Sequence, residues 1–299
     1  MERNRTWMGH LAALATILIW GSTFVSSKVL LNSGLDPADI FFYRFLMAYI
    51  CMLFFCHGQG YCGNKKDEIR FVGLGLTGGS LYFLVENMAL KYSITANVGI
   101  IVCSCPLITA LVLGIAYKDE RLNLRQAICM FVAFLGVILT VLNGQINLHL
   151  NPLGDSLALG AAIIWTLYSL LIKGVLGRYS TEFITRKVFF YGLLTIIPYY
   201  LYKPLCTDTA ILFRAEVWAN LLFLGFLASM GAFLLWNWVL GELGAVKATN
   251  YLYFQCLITL FMGHFVLGET ITSMAIAGAV VLIGGMMGVF LGKKSKSKK

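Results

Sequence analysis

Three stretches of this chain, Tyr92 to Tyr117, Val217 to Gly241 and Thr270 to Gly292, run for membrane-spanning lengths without one charged residue. A helix crossing the roughly 30 Å hydrocarbon core needs about 20 mostly apolar residues, so each is long enough alone. Seven more apolar runs extend the pattern: Met8 to Leu30, Ile40 to Cys56, Phe71 to Leu90, Ala127 to Leu142, Leu153 to Ile172, Val188 to Leu201 and Gly244 to Leu267. Val188 to Leu201 is short and must borrow from the preceding segment, with Arg186 and Lys187 near an interface. A soluble fold would need amphipathic segments to cover these runs. With 12% charged residues and a mean hydropathy of +0.79, the chain has too few polar side chains for that. The apolar residues come in blocks and do not alternate, which excludes a transmembrane barrel. The sequence therefore reads as an all-α integral membrane protein of ten transmembrane helices. The first run follows Arg3 and Arg5, but its length and the spans directly after it mark a retained helix and not a signal peptide.

Charge gives an expected orientation. With the N-terminus inside, the cytoplasmic segments hold all of the 23 Lys and Arg except Lys28, Arg44, Lys91, Lys203 and Arg214. Both termini are then cytoplasmic. The basic tail, residues 293–299, reads as a topology signal attracted to anionic membrane lipid, with no nucleic-acid partner. Most of the eight cysteines lie in or beside apolar runs, where cysteine acts as a small hydrophobe. Cys62 and Cys206 fall on opposite expected sides, and no zinc or redox spacing occurs, so no metal or other cofactor is expected.

The second half of the chain repeats the first. Ile19-Trp20 followed by Lys28 matches Ile164-Trp165 followed by Lys173 at an offset of 145. Asn87 and Leu90 match Asn237 and Leu240 at an offset of 150, as do Leu107-Ile108-Thr109 and Leu257-Ile258-Thr259, while Glu120 and Glu269 differ by 149. Ordered matches with a slowly drifting offset indicate a duplication, dividing the chain into residues 1–143, residues 152–292 and the tail. Five helices per half is an odd number, so the halves would be inverted repeats, with a binding site at their interface as in secondary transporters.

Several short marks fall in order along the chain: Trp20-Gly21-Ser22-Thr23-Phe24, Arg44 after Pro37, the segment from Ala89-Leu90 to Ala96, Pro106, Lys118-Asp119-Glu120 and Gly268-Glu269. On these, over essentially its whole length, the sequence resembles the EamA branch of the drug/metabolite transporter superfamily. It departs from internal symmetry at Thr166, where the first half has Gly21, and at Gln255-Cys256, opposite Pro106. The resemblance implies a secondary active transporter of a small polar or amphipathic metabolite such as an amino acid. It further implies export by alternating access across a bacterial inner membrane. A nucleotide-sugar or phosphate-metabolite exchanger shares the superfamily plan; the short loops and lack of a transit segment favour the bacterial membrane.

Ionisable residues inside apolar runs are costly and mark function by default. Glu86, followed by Asn87, suits a proton, a coupling cation or a substrate amine; an interfacial position tied to Lys91 is its structural alternative. Lys247 and Asn250 begin the ninth run, where Lys247 suits an anionic group or snorkels to the interface. His264 suits a proton relay or an interhelical hydrogen bond. Arg44, next to Phe41-Phe42-Tyr43, reads as a guard of the outer entrance or a helix-end anchor. Among the aromatics, Trp20 and Trp165 occupy matched positions, while Tyr82 and Tyr251 neighbour Glu86 and Asn250, so these four are chosen to line a pocket. Gly278, Gly284, Gly285 and Gly288, the last GxxxG-paired with Gly284, suit a tight internal seam or a homodimer contact, leaving monomer or homodimer open. No ATP-binding loop, convergent catalytic set or continuous polar filter is visible, which argues against a pump, an enzyme or a channel.

Overall fold

The structure, a computed structural model, describes residues 2–55, 60–93, 95–142, 151–205, 209–267 and 271–291. Fifteen α-helices are present among them. The first matched half holds α1 (Glu2–Asn32), α2 (Pro37–Phe55), α3 (Lys65–Gly75), α4 (Leu81–Tyr92), α5 (Thr95–Val102), α6 (Cys105–Ala116) and α7 (Leu124–Leu142). The second holds α8 (Pro152–Lys173), α9 (Thr181–Tyr202), α10 (Thr209–Leu212), α11 (Ala215–Leu222), α12 (Ala232–Leu243), α13 (Ala245–Asn250), α14 (Tyr253–Leu267) and α15 (Ser273–Leu291). Helix starts carry their own signals. Asn64, Asn151 and Ser180 accept backbone N–H groups of Lys66, Gly154 and Phe183, and Pro152 occupies the first turn of α8.

Two wide-turn π segments, Leu76–Ser80 and Phe223–Gly231, lead into α4 and α12. Gly79 lies at φ −129°, ψ −109°, outside helical space, and sits against Phe45 and Gly192. Helices α7 and α15 pack backbone to backbone. A Cβ on Gly285 would lie 2.5 Å from the Ala133 amide and one on Gly278 2.5 Å from that of Thr140, while Gly284 faces open space. Three of the four small residues singled out in α15, Gly278, Gly285 and Gly288, therefore serve this internal seam. The largest apolar cluster gathers Trp20, Phe41, Phe45, Trp165, Tyr168, Phe233 and Trp236 at the centre, while Phe54, Leu111, Ile115, Leu124 and Leu201 lie exposed outside. Such an apolar exterior matches a lipid surface.

The expectation of ten membrane-spanning helices requires correction. Among the described residues, five helical stretches are long and apolar enough to cross: Pro37–Phe55, Val98–Ala116, Leu124–Leu142, Pro152–Lys173 and Ala215–Leu243. An apolar run is not a continuous helix. Phe71 to Leu90 is interrupted at Gly79, whose backbone leaves helical space as that of the wide turn inside Ala215–Leu243 does not, and Gly244 to Leu267 is divided between α13 and α14. Val188 to Leu201 belongs to a helix carrying Glu182, Arg186 and Lys187, and within Thr270 to Gly292 the apolar stretch among the described residues is Ser273–Val289. The inversion and the placement of both termini on one side, derived from counting five spans per half, lose their premise. The protein is an all-α membrane protein with five such helices among the described residues. The tail, residues 293–299, lies outside the described residues.

Candidate functional site

The matched tryptophans meet. Trp20 of α1 and Trp165 of α8, 8% and 6% exposed, stand edge to face with ring centroids 5.5 Å apart. Trp236 lies 5.2 Å and Phe233 5.7 Å from Trp20, and Tyr82 of α4 lies 4.9 Å from Trp165. Four helices thus contribute one aromatic box. The Trp20 indole donates to the Ala228 carbonyl at 3.0 Å. The indole nitrogens of Trp165 and Trp236 are buried with no acceptor among the described residues. Buried N–H groups are rarely left bare, so two unspent donors mark this box as a place for a ligand.

Opposite charges flank the box. The Tyr82 hydroxyl donates to Glu86 Oε1 at 2.7 Å. Arg44 is 4% exposed; its Nε donates to Ser229 Oγ at 2.8 Å, and its guanidinium lies 4.7 Å above the Phe83 ring. Arg44 and Glu86 attract each other electrostatically, while the group in hydrogen-bond contact with Glu86 is Tyr82. Tyr82, Phe83, Glu86 and Asn87 are partly exposed, so this part of α4 borders open space. Asn87 donates to the Phe83 carbonyl at 2.8 Å and, with Leu31, Gly34, Leu35, Asp36, Pro37 and Lys91, lines a cavity of about 420 Å³. Behind the box, Tyr168 donates to Asn237 Oδ1 at 2.5 Å, Asn237 donates to Thr185 at 2.9 Å, and Thr109 meets Thr166 at 3.0 Å.

The remaining sequence-derived candidates fall elsewhere. The Tyr251 hydroxyl lies 2.5 Å from His10 Nδ1, and partly buried Lys247 acts electrostatically on that histidine, forming a group at the α1 and α13 ends. Asn250 is completely buried. His264 is exposed on α14, edge-on to Phe265 at 5.1 Å. Ser229 and Phe233 join the box without having been singled out, and Arg44 joins it from a position read as an entrance. One signal was available for Arg44: with Phe41, Phe45 and Ala48 it falls on one helical face.

Polar ties fasten helix ends. Asp67 takes both Arg178 nitrogens at 2.8 Å, Arg70 at 3.3 Å and the Tyr179 hydroxyl at 2.9 Å. Burial raises the Asp67 pKa, but the Tyr179 and Arg178 hydrogen bonds and the arginine charges outweigh it and hold the carboxyl below its ordinary value. Glu68 accepts from the Cys62 thiol, Lys187 and Tyr191; burial again works upward, and these donors bring its pKa down to about 2. Glu120 Oε1 accepts from Lys173 Nζ at 2.7 Å and from the Ala245 amide at 3.2 Å, while Oε2 accepts from the Val246 amide at 3.3 Å.

Comparisons with known proteins agree on one family. The model of the EamA-like transporter family matches residues 7–142 and again 152–291. An uncharacterised transporter of Archaeoglobus fulgidus is 28% identical, covering 93% of this chain and 95% of its own. A probable amino-acid metabolite efflux pump of Salmonella typhimurium is 26% identical over 92% of each chain, and a probable terminal-alkyne amino-acid exporter of Streptantibioticus cattleyicolor is 22% identical over 92% of this chain and 91% of its own. A solved crystal structure, 18% identical, superposes with a TM-score of 0.77 over 95% of this chain and 98% of the other, a likeness of fold.

Proposed function

The chain belongs to the EamA-like transporter family, a multi-pass membrane protein that moves small metabolites by secondary transport and is not an enzyme, and on that premise we propose that its cargo is a zwitterionic amino acid or close derivative moved outward. The observation that carries this is the pairing of Arg44 and Glu86 beside the box of Trp20, Trp165 and Trp236. A guanidinium matches an α-carboxylate, a carboxylate matches an α-ammonium, and the indole faces accept the apolar remainder. The printed activities of the Salmonella and Streptantibioticus relatives support the same class. Glu86 is also the group placed to take up a proton as cargo leaves, since the Arg44 charge and the cargo ammonium compete for it.

The test is counterflow of labelled amino acids in proteoliposomes. Hydrogen bonds to charged groups contribute about 1.5–3 kcal/mol, so Arg44→Gln or Glu86→Gln should weaken competition by roughly 10- to 150-fold. Amines lacking the carboxylate should compete poorly with wild type. Equal competition by amine and amino acid, or variants with unchanged uptake, refutes the zwitterion reading. A Glu86→Gln variant that still responds fully to an imposed pH gradient refutes the proton role.

A further inference from the structure

Two interrupted helices face each other beside the aromatic box. Helix α13 ends at Asn250 and α14 begins at Tyr253, with a turn between them closed by Tyr251 N–H to Ala248 O at 3.0 Å and Leu252 N–H to Thr249 O at 2.9 Å. Helix α5 ends at Val102 and α6 begins at Cys105. Cys103 packs against the cluster holding Tyr253 and Cys256, while Cys105 belongs to the core of Trp20 and Trp165. The Tyr82 and Tyr253 hydroxyls each interact electrostatically with both of these cysteines. Cys103 and Cys105 thus link the surroundings of Tyr253 to those of Tyr82, and α13 packs on α6. Interrupted helices inside transporters recur where cargo or coupling ions are held.

Here the break carries unspent hydrogen-bonding capacity. Asn250 is 0% exposed, and neither its Oδ1 nor its Nδ2 has a partner among the described residues; nor has the buried Tyr253 hydroxyl. Asn237, equally buried, has both amide atoms engaged, by Tyr168 and Thr185. The same fold therefore satisfies one buried amide and leaves another bare. A carboxamide presents two donors and an acceptor, so only a group that itself donates and accepts uses both halves at once. While Lys247, one turn before Asn250 on α13, acts on His10, the clusters joined here carry the Cys103, Cys105 and Cys256 thiols and the Thr109 and Thr166 hydroxyls. A neutral ligand group that both donates and accepts fits all of them.

We propose that Asn250 and Tyr253 form an uncharged subsite at the broken helix that hydrogen-bonds a carboxamide or hydroxyl at the far end of the transported metabolite. This rests on the zwitterion reading of Arg44 and Glu86, and it adds side-chain selectivity. In counterflow with wild-type protein, glutamine should compete at least about tenfold better than methionine, and threonine better than valine, since a site built around polar groups rejects analogues that leave them unpaired. In Asn250→Leu the glutamine preference should fall below about twofold while methionine competes as before, and Tyr253→Phe should reduce it partially. If amino acids compete without regard to side-chain polarity, or if Asn250→Leu weakens all of them equally, the subsite is refuted while the zwitterion reading stands. If no amino acid competes, both fall. Ligand-free thermal unfolding gives a second readout. A bare buried amide replaced by an apolar group of similar size should raise the melting temperature. A lowered melting temperature would show that the amide is already satisfied by resident water, and would overturn the proposal.

Discussion

Glu120 ties the stretch after α6 to the end of α8 and the start of α13 through three hydrogen bonds, and it is only 9% exposed. Gly244, at φ +81°, turns the chain so that two successive N–H groups of α13 point at this carboxylate. Glu120→Ala would take the carboxylate from the Lys173 ammonium and from two amide donors. Removing one partner of a buried ion pair costs about 3–5 kcal/mol. The Lys173 side chain keeps 18% exposure and its place 4.7 Å above the Tyr117 ring, which lets water and the ring recover part of that loss. The two amide bonds are long and add about 0.5–1.5 kcal/mol each. The net expectation is a loss of about 3 kcal/mol, within the range for breaking a buried network. Lys173→Met should cost less, because Glu120 then keeps both amide donors. The assay is reversible unfolding by added SDS, with both single variants and the double variant closing a cycle. A coupling energy of about 1–2 kcal/mol is expected for groups in direct contact. A coupling below about 0.5 kcal/mol, or a Lys173→Met loss as large as that of Glu120→Ala, refutes the reasoning.

The α7/α15 seam separates two glycines one residue apart. Gly285→Leu should abolish recovery of folded protein, because its Cβ meets the Ala133 backbone, whereas Gly284→Leu should leave yield and melting temperature unchanged; similar behaviour of the two would disprove the seam. Acid should loosen the ties at the start of α3. Glu68 sits at about 2 when folded against an ordinary 4.5, so its contribution is complete above about pH 4.5 and is lost as pH falls toward 2. Asp67 shifts in the same direction, and Glu68→Gln should flatten part of the acid limb of a stability profile; an unchanged limb would exclude Glu68 as its source.

How far the sequence could be read depended on which interactions leave a periodic trace. The offset of 145 between Trp20 and Trp165 identified two side chains that do meet, because duplicated segments pack around shared ground. Glu86 stood out because a carboxylate in an apolar run needs a partner; Tyr82, one helical turn away, supplies it. Arg44, beside Phe41-Phe42-Tyr43, reads from sequence as an entrance guard or a helix-end anchor, although its spacing from Phe41 and Ala48 places it on the buried face. His264 shares a face with Phe261, an exposed one, and no hydropathy window distinguishes inward from outward. The span count failed for a related reason. Hydropathy sums side chains and is blind to the backbone, so a run such as Gly244 to Leu267 gives no warning of a break at Tyr251-Leu252, where neither proline nor glycine stands.

Those breaks and the site have a common cause. Tyr82 and Glu86 follow the wide turn at Leu76–Ser80, and Phe233 and Trp236 follow the one at Phe223–Gly231, which itself holds Ser229. Cys105 follows the gap after α5, and Tyr253 the gap after α13. A regular helix spends its backbone groups on itself and fixes side-chain directions at 3.6 residues per turn, so a polar group it carries inward must find a partner on a neighbouring helix. A wide turn shifts that phase by part of a turn and opens the ladder locally, which is why such segments collect at functional sites. In Phe71 to Leu90 the interruption precedes Glu86 by less than two turns, and in Gly244 to Leu267 Asn250 is the last helical residue before it. Among interior groups, those left bare are Trp165, Trp236, Asn250 and Tyr253, whereas Asn237, Thr185 and Tyr168 are fully engaged. A chain selected for stability alone would have capped the first set as it capped the second, and it is on these unspent groups that the proposed cargo site draws.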